Sequence, residues 1–388
     1  MTFFLITSAI KVFVVLNLIL VGVALLTLLE RRVCAWMQDR LGPNRVGPQG
    51  LLQPAADGLK NILKEETSPA MADKALFTLA PMVSFVPALL TFGVIPFASP
   101  LPTKWGVVPM VVADLPVGFL YILAISSLGV YGIVLAGWAS NNKYALLGGL
   151  RASAQMISYE IALGMSTVAV ILLAGNVTLS QVIAQQQLAH AWFIIPLTVA
   201  FVIFFISALA ETNRLPFDLP EAEGELIAGY HTEYSAMKFS MFYIAEYSNM
   251  VTASALMATL FFGGWDIPFT TWDSTGDPSV LKTLLTLAAF GAKTFAFLFT
   301  YIWVRWTLPR FRYDQLMALG WKVLLPLSLV YITLVAVAIW FVRIRLGWEY
   351  GAGMAWVLGG LNFVLLIALV YWLDRGRLVS GSVQEEAA

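Results

Sequence analysis

Cysteine and histidine are almost absent from this chain of 388 residues, which contains one of the former and two of the latter. The lone Cys34 excludes an internal disulfide, a cysteine-ligated iron-sulfur cluster and a four-cysteine zinc site. The sequence also lacks a P-loop, a dinucleotide-binding fingerprint and a Gly-x-Ser-x-Gly elbow. Nucleotide hydrolysis, hydride transfer and serine hydrolysis therefore have no site in this chain.

Charge is also scarce, because 12% of the residues are charged and 59% are hydrophobic. Apolar runs of about 20 residues recur, which is the length that crosses a bilayer. We therefore predict an all-α polytopic membrane protein with a single integral membrane domain over residues 1–388. Met1 is not followed by a cleavable signal pattern, so we expect the first run to be a permanent span. The nine predicted spans are 4–29, 75–97, 111–137, 149–174, 192–210, 235–262, 281–304, 321–342 and 353–373.

Basic residues are distributed unevenly between the two predicted faces. With Met1 outside, the loops 30–74, 138–148, 211–234 and 305–320 and the tail face inward, and this side collects 17 of the 23 Lys and Arg residues. The positive-inside rule therefore predicts that the charged loops face the cytoplasm. His190 and His231 then lie in loops on opposite sides, which excludes the paired haem ligands of a b-type cytochrome.

The longest loop contains an amphipathic segment at residues 53–64. Its apolar residues recur at helical spacing, and Pro54 is acceptable in a first helical turn. Twelve residues of helix extend only about 18 Å, too short to cross a bilayer. The segment is predicted either as an interfacial helix lying on lipid or as the wall of a cavity that opens to the membrane.

Four ionisable residues fall inside predicted spans, namely Asp114, Glu160, Glu246 and Lys293. Each costs at least ~2.5 kcal/mol at the centre of a bilayer and needs a partner, water or the bundle interior. One interpretation is a proton relay of coupled carboxylates. The other is that Lys293 neutralises Glu246 or Glu160 in a buried pair.

The loop that follows the fifth span is unusually acidic. Within residues 211–238 six carboxylates stand against two bases, Arg214 and Lys238; the acids are Glu211, Asp218, Glu221, Glu223, Glu225 and Glu233. Such a run is usually a solvated face. Here prolines and apolar residues interrupt it, and Glu221, Glu225 and His231 could share one helical face.

Six stretches carry a family resemblance: ERR at 30–32, QDRLGPNRVGPQGLLQPAADGLK at 38–60, QMISYEI at 155–161, AETNRLPFDLPEAEGELIAGYHTEY at 210–234, IAEY at 244–247 and PRFRYDQLM at 309–317. They resemble, in order over about residues 5–340, the signatures of the H-type membrane subunit of NADH:quinone oxidoreductase, respiratory complex I. Residues 1–342 are similar to the family core, and residues 343–388 add a helix and a tail.

The resemblance implies the proximal membrane-arm subunit of a proton-pumping enzyme in a bacterial cytoplasmic membrane. It would dock the peripheral redox arm and adjacent small membrane subunits, and it would form the membrane part of the quinone chamber. The chain itself would hold no cofactor. FMN and iron-sulfur clusters would belong to partner subunits, and quinone would be the substrate, with ubiquinone and menaquinone both open.

The resemblance also implies roles for individual residues. The expected quinone-binding residues are Glu30, Arg31, Asp57, Phe242, Tyr243, Arg305, Arg310 and Arg312. The acids Glu211, Glu221, Glu223 and Glu225 match an acidic rim of the chamber, and Glu160 and Glu246 match buried carboxylates of a proton path. Together with Asp114 and Lys293 from the spans, these form the predicted proton path.

Three other functions stay open from the residues. A related docking component of an energy-converting membrane-bound hydrogenase would use the same platform without a quinone. A stand-alone cation/proton antiporter would use Glu160, Glu246 and Lys293, and would be active in liposomes without partners. A purely structural anchor would leave the buried acids unexplained.

Overall fold

The computed structural model describes residues 2–218, 229–268, 270–273, 275, 277–345 and 347–374. These residues are mostly helical, and β1 (Leu101–Thr103) and β2 (Gly106–Val108) form a short antiparallel hairpin. The helices are α1 (Thr2–Met37), α2 (Gln53–Leu63), α3 (Lys74–Leu90), α4 (Gly118–Ser126), α5 (Leu128–Ala139), α6 (Lys143–Ala174), α7 (Leu179–Ala189), α8 (Thr198–Glu211), α9 (Ala236–Phe261), α10 (Val280–Thr307), α11 (Tyr313–Ala318), α12 (Leu325–Trp340) and α13 (Ala352–Asp374). The predicted all-α polytopic class is confirmed.

Seven helical segments in the described part of the chain are long and apolar enough to cross a membrane. They are Leu5–Met37, Lys74–Val94, Gly118–Ala139, Lys143–Ala174, Val280–Thr307, Tyr313–Arg345 and Ala352–Tyr371. The other two predicted spans correspond to α8 and α9. α8 has 14 residues, and α9 has 26 residues but carries Lys238, Glu246 and many hydroxyl groups.

Local signals explain where several helices start and stop. The carboxylate of Asp73 accepts hydrogen bonds from the backbone N–H groups of Ala75 and Leu76 and so caps the start of α3. Asn142 caps α6 in the same way, through the N–H of Tyr144. α6 ends at Ala174, and the following Gly175 has a φ of 69°, in the left-handed region that glycine adopts without strain.

α6 is the central helix of the bundle and packs against α5, α8 and α12. Small residues permit the closest approaches, as is common where membrane helices meet. A Cβ atom added to Gly148 would lie 2.7 Å from the backbone of Gly229, and one added to Gly132 would lie 2.8 Å from the backbone N of Ser84. These positions fix how α6 meets the segment before α9 and how α5 meets α3.

The amphipathic segment predicted at 53–64 forms α2, which lies beside α1 and α9. None of its residues is buried, and Leu59, Ile62 and Leu63 are exposed. α1 exposes apolar side chains along much of its length, including Phe13 and Leu18. These surfaces are the faces that a lipid environment would cover.

Candidate functional site

A cluster of buried charges lies where α1 and α8 end and α9 begins, and we call this end of the bundle the charged end. Glu30 projects from the last two turns of α1 and is only 5% exposed. Arg214, which is 4% exposed, comes from the turn after α8. Tyr247 and Glu246 come from α9, and Arg305 comes from the last turn of α10. Four separate segments therefore supply one site.

Glu30 is the most heavily coordinated group of the cluster. Arg214 Nη1 donates to both of its carboxylate oxygens, at 3.0 Å and 3.2 Å. The Tyr247 hydroxyl donates to Oε2 at 2.5 Å, and Arg305 Nη1 donates to Oε1. Because hydrogen bonds to a charged group are about twice as strong as neutral ones, this carboxylate is firmly held.

Arg214 also reaches a second carboxylate. Its Nε lies 2.6 Å from Oε1 of Glu246, and its guanidinium lies 4.2 Å from the centre of the Tyr247 ring. The Tyr247 hydroxyl in turn lies 3.1 Å from that of Tyr243. Two carboxylates and two guanidiniums thus balance in charge inside a site that excludes most water, which is the condition under which buried ions are tolerated.

The turn that carries Arg214 is held from α6. Gln155 Nε2 donates to the carbonyls of Ala210 and Phe217, both at 2.9 Å, and to Oδ1 of Asn213 at 3.1 Å. Gln155 is fully buried, so these bonds do not compete with water. A single amide thereby fixes the backbone on both sides of Arg214.

Three small cavities extend from this cluster into the bundle. The first, about 10 Å³, is lined by Arg214, Glu246 and Arg305 among others. The second, about 30 Å³, is also lined by Glu246 and reaches Glu211. The third, about 30 Å³, is also lined by Glu211 and continues to Ser126 and Thr252. The two larger cavities have room for a water molecule, which needs about 10–15 Å³ and polar neighbours.

Glu211 lines two of these cavities, and Glu160 lies near Glu211. Glu211 is the last residue of α8, and the Ser126 hydroxyl is one of its hydrogen-bond partners. Glu160 of α6 is partly buried and interacts electrostatically with Glu211. Glu246 and Glu211 thus line one cavity, and Glu160 lies close enough to Glu211 for their charges to interact.

The sequence matches known proteins over most of its length. Residues 10–336 match the family model described as NADH dehydrogenase. The first of the H-type subunits of NADH-quinone oxidoreductase from Geobacter metallireducens is 51% identical over 335 residues, covering 86% of this chain and 96% of that protein. The second H-type subunit of the enzyme from Geobacter sulfurreducens is 51% identical over 332 residues, and the second from Koribacter versatilis is 51% identical over 346 residues. Their matches cover 86% of this chain in both cases, and 96% and 97% of those proteins.

The chain belongs to this family. It is a membrane subunit of NADH-quinone oxidoreductase, and the predicted identity is confirmed. The structure places most of the expected quinone-site residues in two groups and the others apart from one another.

Glu30, Tyr243 and Arg305 lie together in the buried cluster, with Glu246 beside them. Arg31 and Asp57 form a separate ion pair of 2.6 Å, which joins α1 to α2 on a more exposed surface. Gln53 Nε2 donates to Asp57 at 3.1 Å and orients it. The pair stands where α1 and α2 meet.

The remaining expected quinone-site residues are more dispersed. Arg310 Nη2 lies 3.1 Å from Oδ2 of Asp218, beside the cluster. The Arg312 side chain is 80% exposed, near Asp314. Phe242 is buried and packs against Tyr230 and Tyr234, with ring centres 5.4 Å and 5.1 Å apart. It also lines the second cavity.

Part of the acidic loop lies outside the described residues. This part contains Glu221, Glu223 and Glu225, so the predicted helical face that Glu221 and Glu225 share with His231 also lies outside the described residues. On its described side, Glu233 accepts a hydrogen bond of 2.6 Å from Asn142. His231 is buried, and burial lowers its pKa to about 4. The histidine is therefore neutral at physiological pH.

One prediction and one alternative interpretation about ionisable residues in spans are wrong. Asp114 does not lie inside the third span, because the helix begins only at Gly118; it is exposed and accepts hydrogen bonds from Ser180 at 2.8 Å and 3.0 Å. Pro116, just before the helix, explains the later start. Lys293 pairs with neither Glu246 nor Glu160, since its ammonium donates to three backbone carbonyls after α9.

Arg214 and Tyr247 are site residues that only the structure singles out. Arg214 is the base nearest to Glu211 in the acidic loop, and Tyr247 follows an acid within a helix. A lone base directly after a span and a tyrosine beside a membrane carboxylate are the signals that could have indicated them.

Proposed function

We propose that the chain forms the membrane part of a quinone chamber, docks the redox arm of its complex and couples quinone reduction to proton translocation through buried carboxylates. The observation that supports this most directly is the sharing of Arg214 between Glu30 and Glu246. Quinone reduction takes up two electrons and two protons, so it changes the local charge and the local demand for protons. A site that responds must connect the quinone side to titratable groups inside the bundle.

The buried cluster offers such a connection. Negative charge that develops on a quinone near Arg305 or Arg214 would compete with Glu30 and Glu246 for these cations. A carboxylate that loses part of its cationic partner holds a proton more tightly. Glu246, which already lines the cavity toward Glu211, is then the first group to take up a proton.

Proton movement would continue along Glu246, Glu211 and Glu160. Glu246 and Glu211 line the same cavity, and Glu211 and Glu160 act on each other electrostatically. Because the carboxylates are coupled, a proton gained at one shifts the titration of the next. The acids Glu221, Glu223 and Glu225 would extend this series on the acidic loop.

An apolar route for the quinone tail adjoins the cluster. A groove of about 700 Å³ runs along α1 and α10 and ends near Arg32, two residues from Glu30 in the chain. The Arg31–Asp57 pair and the exposed leucines of α2 lie at the same end of α1. An isoprenoid tail could leave the lipid here while its head group approaches Arg305.

The charged end also supports docking of partner subunits. Three charged residues are exposed there. Arg40 lies in the loop after α1, Arg312 directly precedes α11, and Asp314 lies in its first turn. We propose that FMN and iron-sulfur clusters reside in the docked peripheral subunits. The charged end then faces the cytoplasm of a bacterial cell. Small membrane subunits of the complex would adjoin the bundle within the membrane.

The test is NADH-driven quinone reduction and proton pumping in membranes that carry Glu211→Gln. We expect coupled turnover to fall about tenfold or more, as loss of a proton-transfer group does, whereas Glu65→Gln, at an exposed position, should behave as wild type. A photoreactive quinone analogue should label residues 30–66. Normal coupled turnover in Glu211→Gln without labelling would contradict the proposal and favour a docking scaffold or a component of a hydrogenase. Proton transport by the isolated chain in liposomes would instead favour an antiporter.

A further inference from the structure

A second cluster of buried ionisable groups lies at the opposite end of α9 from the charged end. Asp266 and Asp273 belong to the segment that connects α9 to α10, and they are 8% and 4% exposed. Lys293 reaches them from the middle of α10. No part of the network around Glu30 contacts these residues in the described structure, so they call for a separate explanation.

The ammonium of Lys293 is fully used by backbone groups. It donates to the carbonyls of Phe262 at 2.7 Å, Gly264 at 3.0 Å and Asp266 at 2.5 Å. Lysine has three N–H donors, so none remains for either aspartate carboxylate. The positive charge also lies 4.3 Å from the centre of the Trp192 ring. Lys293 therefore acts on the two carboxylates through its field, without a direct hydrogen bond.

The carboxylates are oriented by neutral donors and by each other. Asp266 accepts from Trp192 Nε1 at 2.7 Å. Asp273 Oδ2 accepts from Gln187 Nε2 at 3.2 Å and from the N–H of Ile267 at 3.1 Å. The N–H of Ile267 belongs to the residue after Asp266, so Asp273 is held beside Asp266, and a side-chain hydrogen bond between the two acids is one of the causes that raise the pKa of Asp266. Oδ1 of Asp273 is buried and accepts no hydrogen bond from an N–H or O–H donor among the described residues.

Two carboxylates in hydrogen-bond contact need a proton between them, because neither has a donor when both are ionised. The charge balance leads to the same requirement. Asp266, Asp273 and Lys293 carry a net charge of −1 when all are ionised and are neutral when one proton is added. Burial raises the pKa of Asp266 to about 6, and the charge of Asp273 adds to this effect. Lys293, on α10, is the cation that opposes it.

The remaining neighbours do not supply a further charge to the pair. Gln187, on α7, and Trp192, in the segment after it, are neutral donors. Lys282, on α10, donates from its Nζ to the carbonyl of Thr275 at 2.7 Å, and it is not among the charges that shift the pKa of Asp266.

We propose that Asp266 and Asp273 form a proton-binding site in which the two carboxylates share one proton, and that this proton fastens the segment after α9 to α7 and α10.

Aromatic rings pack against one another from the third cavity to the segment after α9. Phe204 lines the third cavity and packs against Phe261, with ring centres 5.7 Å apart. Phe262 follows and packs against Phe297 at 5.2 Å. Rings offer no hydrogen bonds along which a proton could move, so these contacts give no route from the third cavity to Asp266 and Asp273.

Infrared difference spectra of the purified complex between pH 5 and 8 test the shared proton. We expect Asp266→Asn and Asp273→Asn each to remove a protonated-carboxyl band that titrates near pH 6 in the wild type. Asp277→Asn, at an exposed position of the same segment, should leave that band in place. A band that survives in Asp273→Asn would show that Asp266 holds its proton alone, and an unchanged band in both variants would also overturn the proposal.

Hydrogen exchange of residues 262–273 in the intact complex tests the fastening. After correction for the intrinsic exchange rate, protection in the wild type should fall by up to about tenfold for each pH unit above 6, as release of one proton requires. In Asp266→Asn the protection should not depend on pH, because the amide stays neutral and can still donate to Asp273. Protection that is independent of pH in the wild type would contradict the proposal.

Discussion

Arg214 lies between two acids that belong to different helices. Its Nη1 is 3.0 Å from Oε1 of Glu30 on α1, and its Nε is 2.6 Å from Oε1 of Glu246 on α9. Burial by itself would lower the pKa of Arg214, but Glu246 and Glu30 hold it well above its usual range. The guanidinium therefore stays charged and joins the two carboxylates through one planar group, which no other basic side chain can do in the same geometry.

Arg214→Lys should disrupt this relationship while the charge is kept. A lysine can reach one carboxylate but cannot serve both, so either Glu30 or Glu246 loses its partner. We expect the complex to be destabilised by about 3 kcal/mol, the lower end for breaking a buried ion pair. Thermal unfolding of the purified complex measures this. Arg343→Lys, at an exposed position, is the control, and equal midpoints for both variants would contradict the prediction.

Gly148→Ala and Gly164→Ala should differ in their effect on stability although both lie in α6. At Gly148 a Cβ would meet the backbone of Gly229 at 2.7 Å, whereas at Gly164 the nearest atom would be 3.8 Å away. Overpacking should make Gly148→Ala less stable by about 1–3 kcal/mol. Gly164→Ala should be neutral or more stable by up to about 1 kcal/mol, because alanine favours helix. The yield and thermal midpoint of the complex distinguish the two cases, and a Gly148→Ala complex as stable as Gly164→Ala would refute the close contact.

Buried His231 should make the complex less stable as the pH falls. Burial lowers its pKa to about 4 in the folded chain, below the ~6.5 of an unfolded histidine. Between these two pH values the unfolded chain binds more protons than the folded chain, so the free energy of unfolding falls as the pH decreases from about 6.5 to 4. Above about pH 6.5 the contribution of neutral His231 to stability is fully present. The total effect is at most roughly 3 kcal/mol. The thermal midpoint of the complex, measured between pH 4.5 and 7.5, should change less with pH in His231→Gln than in the exposed-site variant His190→Gln. An equal dependence on pH in both variants would contradict the prediction.

The sequence by itself determined the class of the protein and the order of its helices. Hydropathy is a local property, so long apolar runs such as Val280–Thr307 can be recognised before any contact is known. The helical spacing of apolar residues located α2 for the same reason. Motifs around Glu30 and in the acidic loop were specific enough to indicate the family.

Only the tertiary structure decided which charges meet. Glu30 and Arg214 are 184 positions apart, and their contact depends on how α1, α8 and α9 are rotated and packed. The sequence alone suggested Glu246 or Glu160 as the partner of Lys293, yet the carbonyls after α9 satisfy that lysine because α9 ends beside it. Asp114 falls outside its predicted span because the apolar stretch begins at residue 111, whereas the helix begins only at Gly118. Apolar patterns place helices in a membrane, whereas the geometry of packing selects the polar partners inside them.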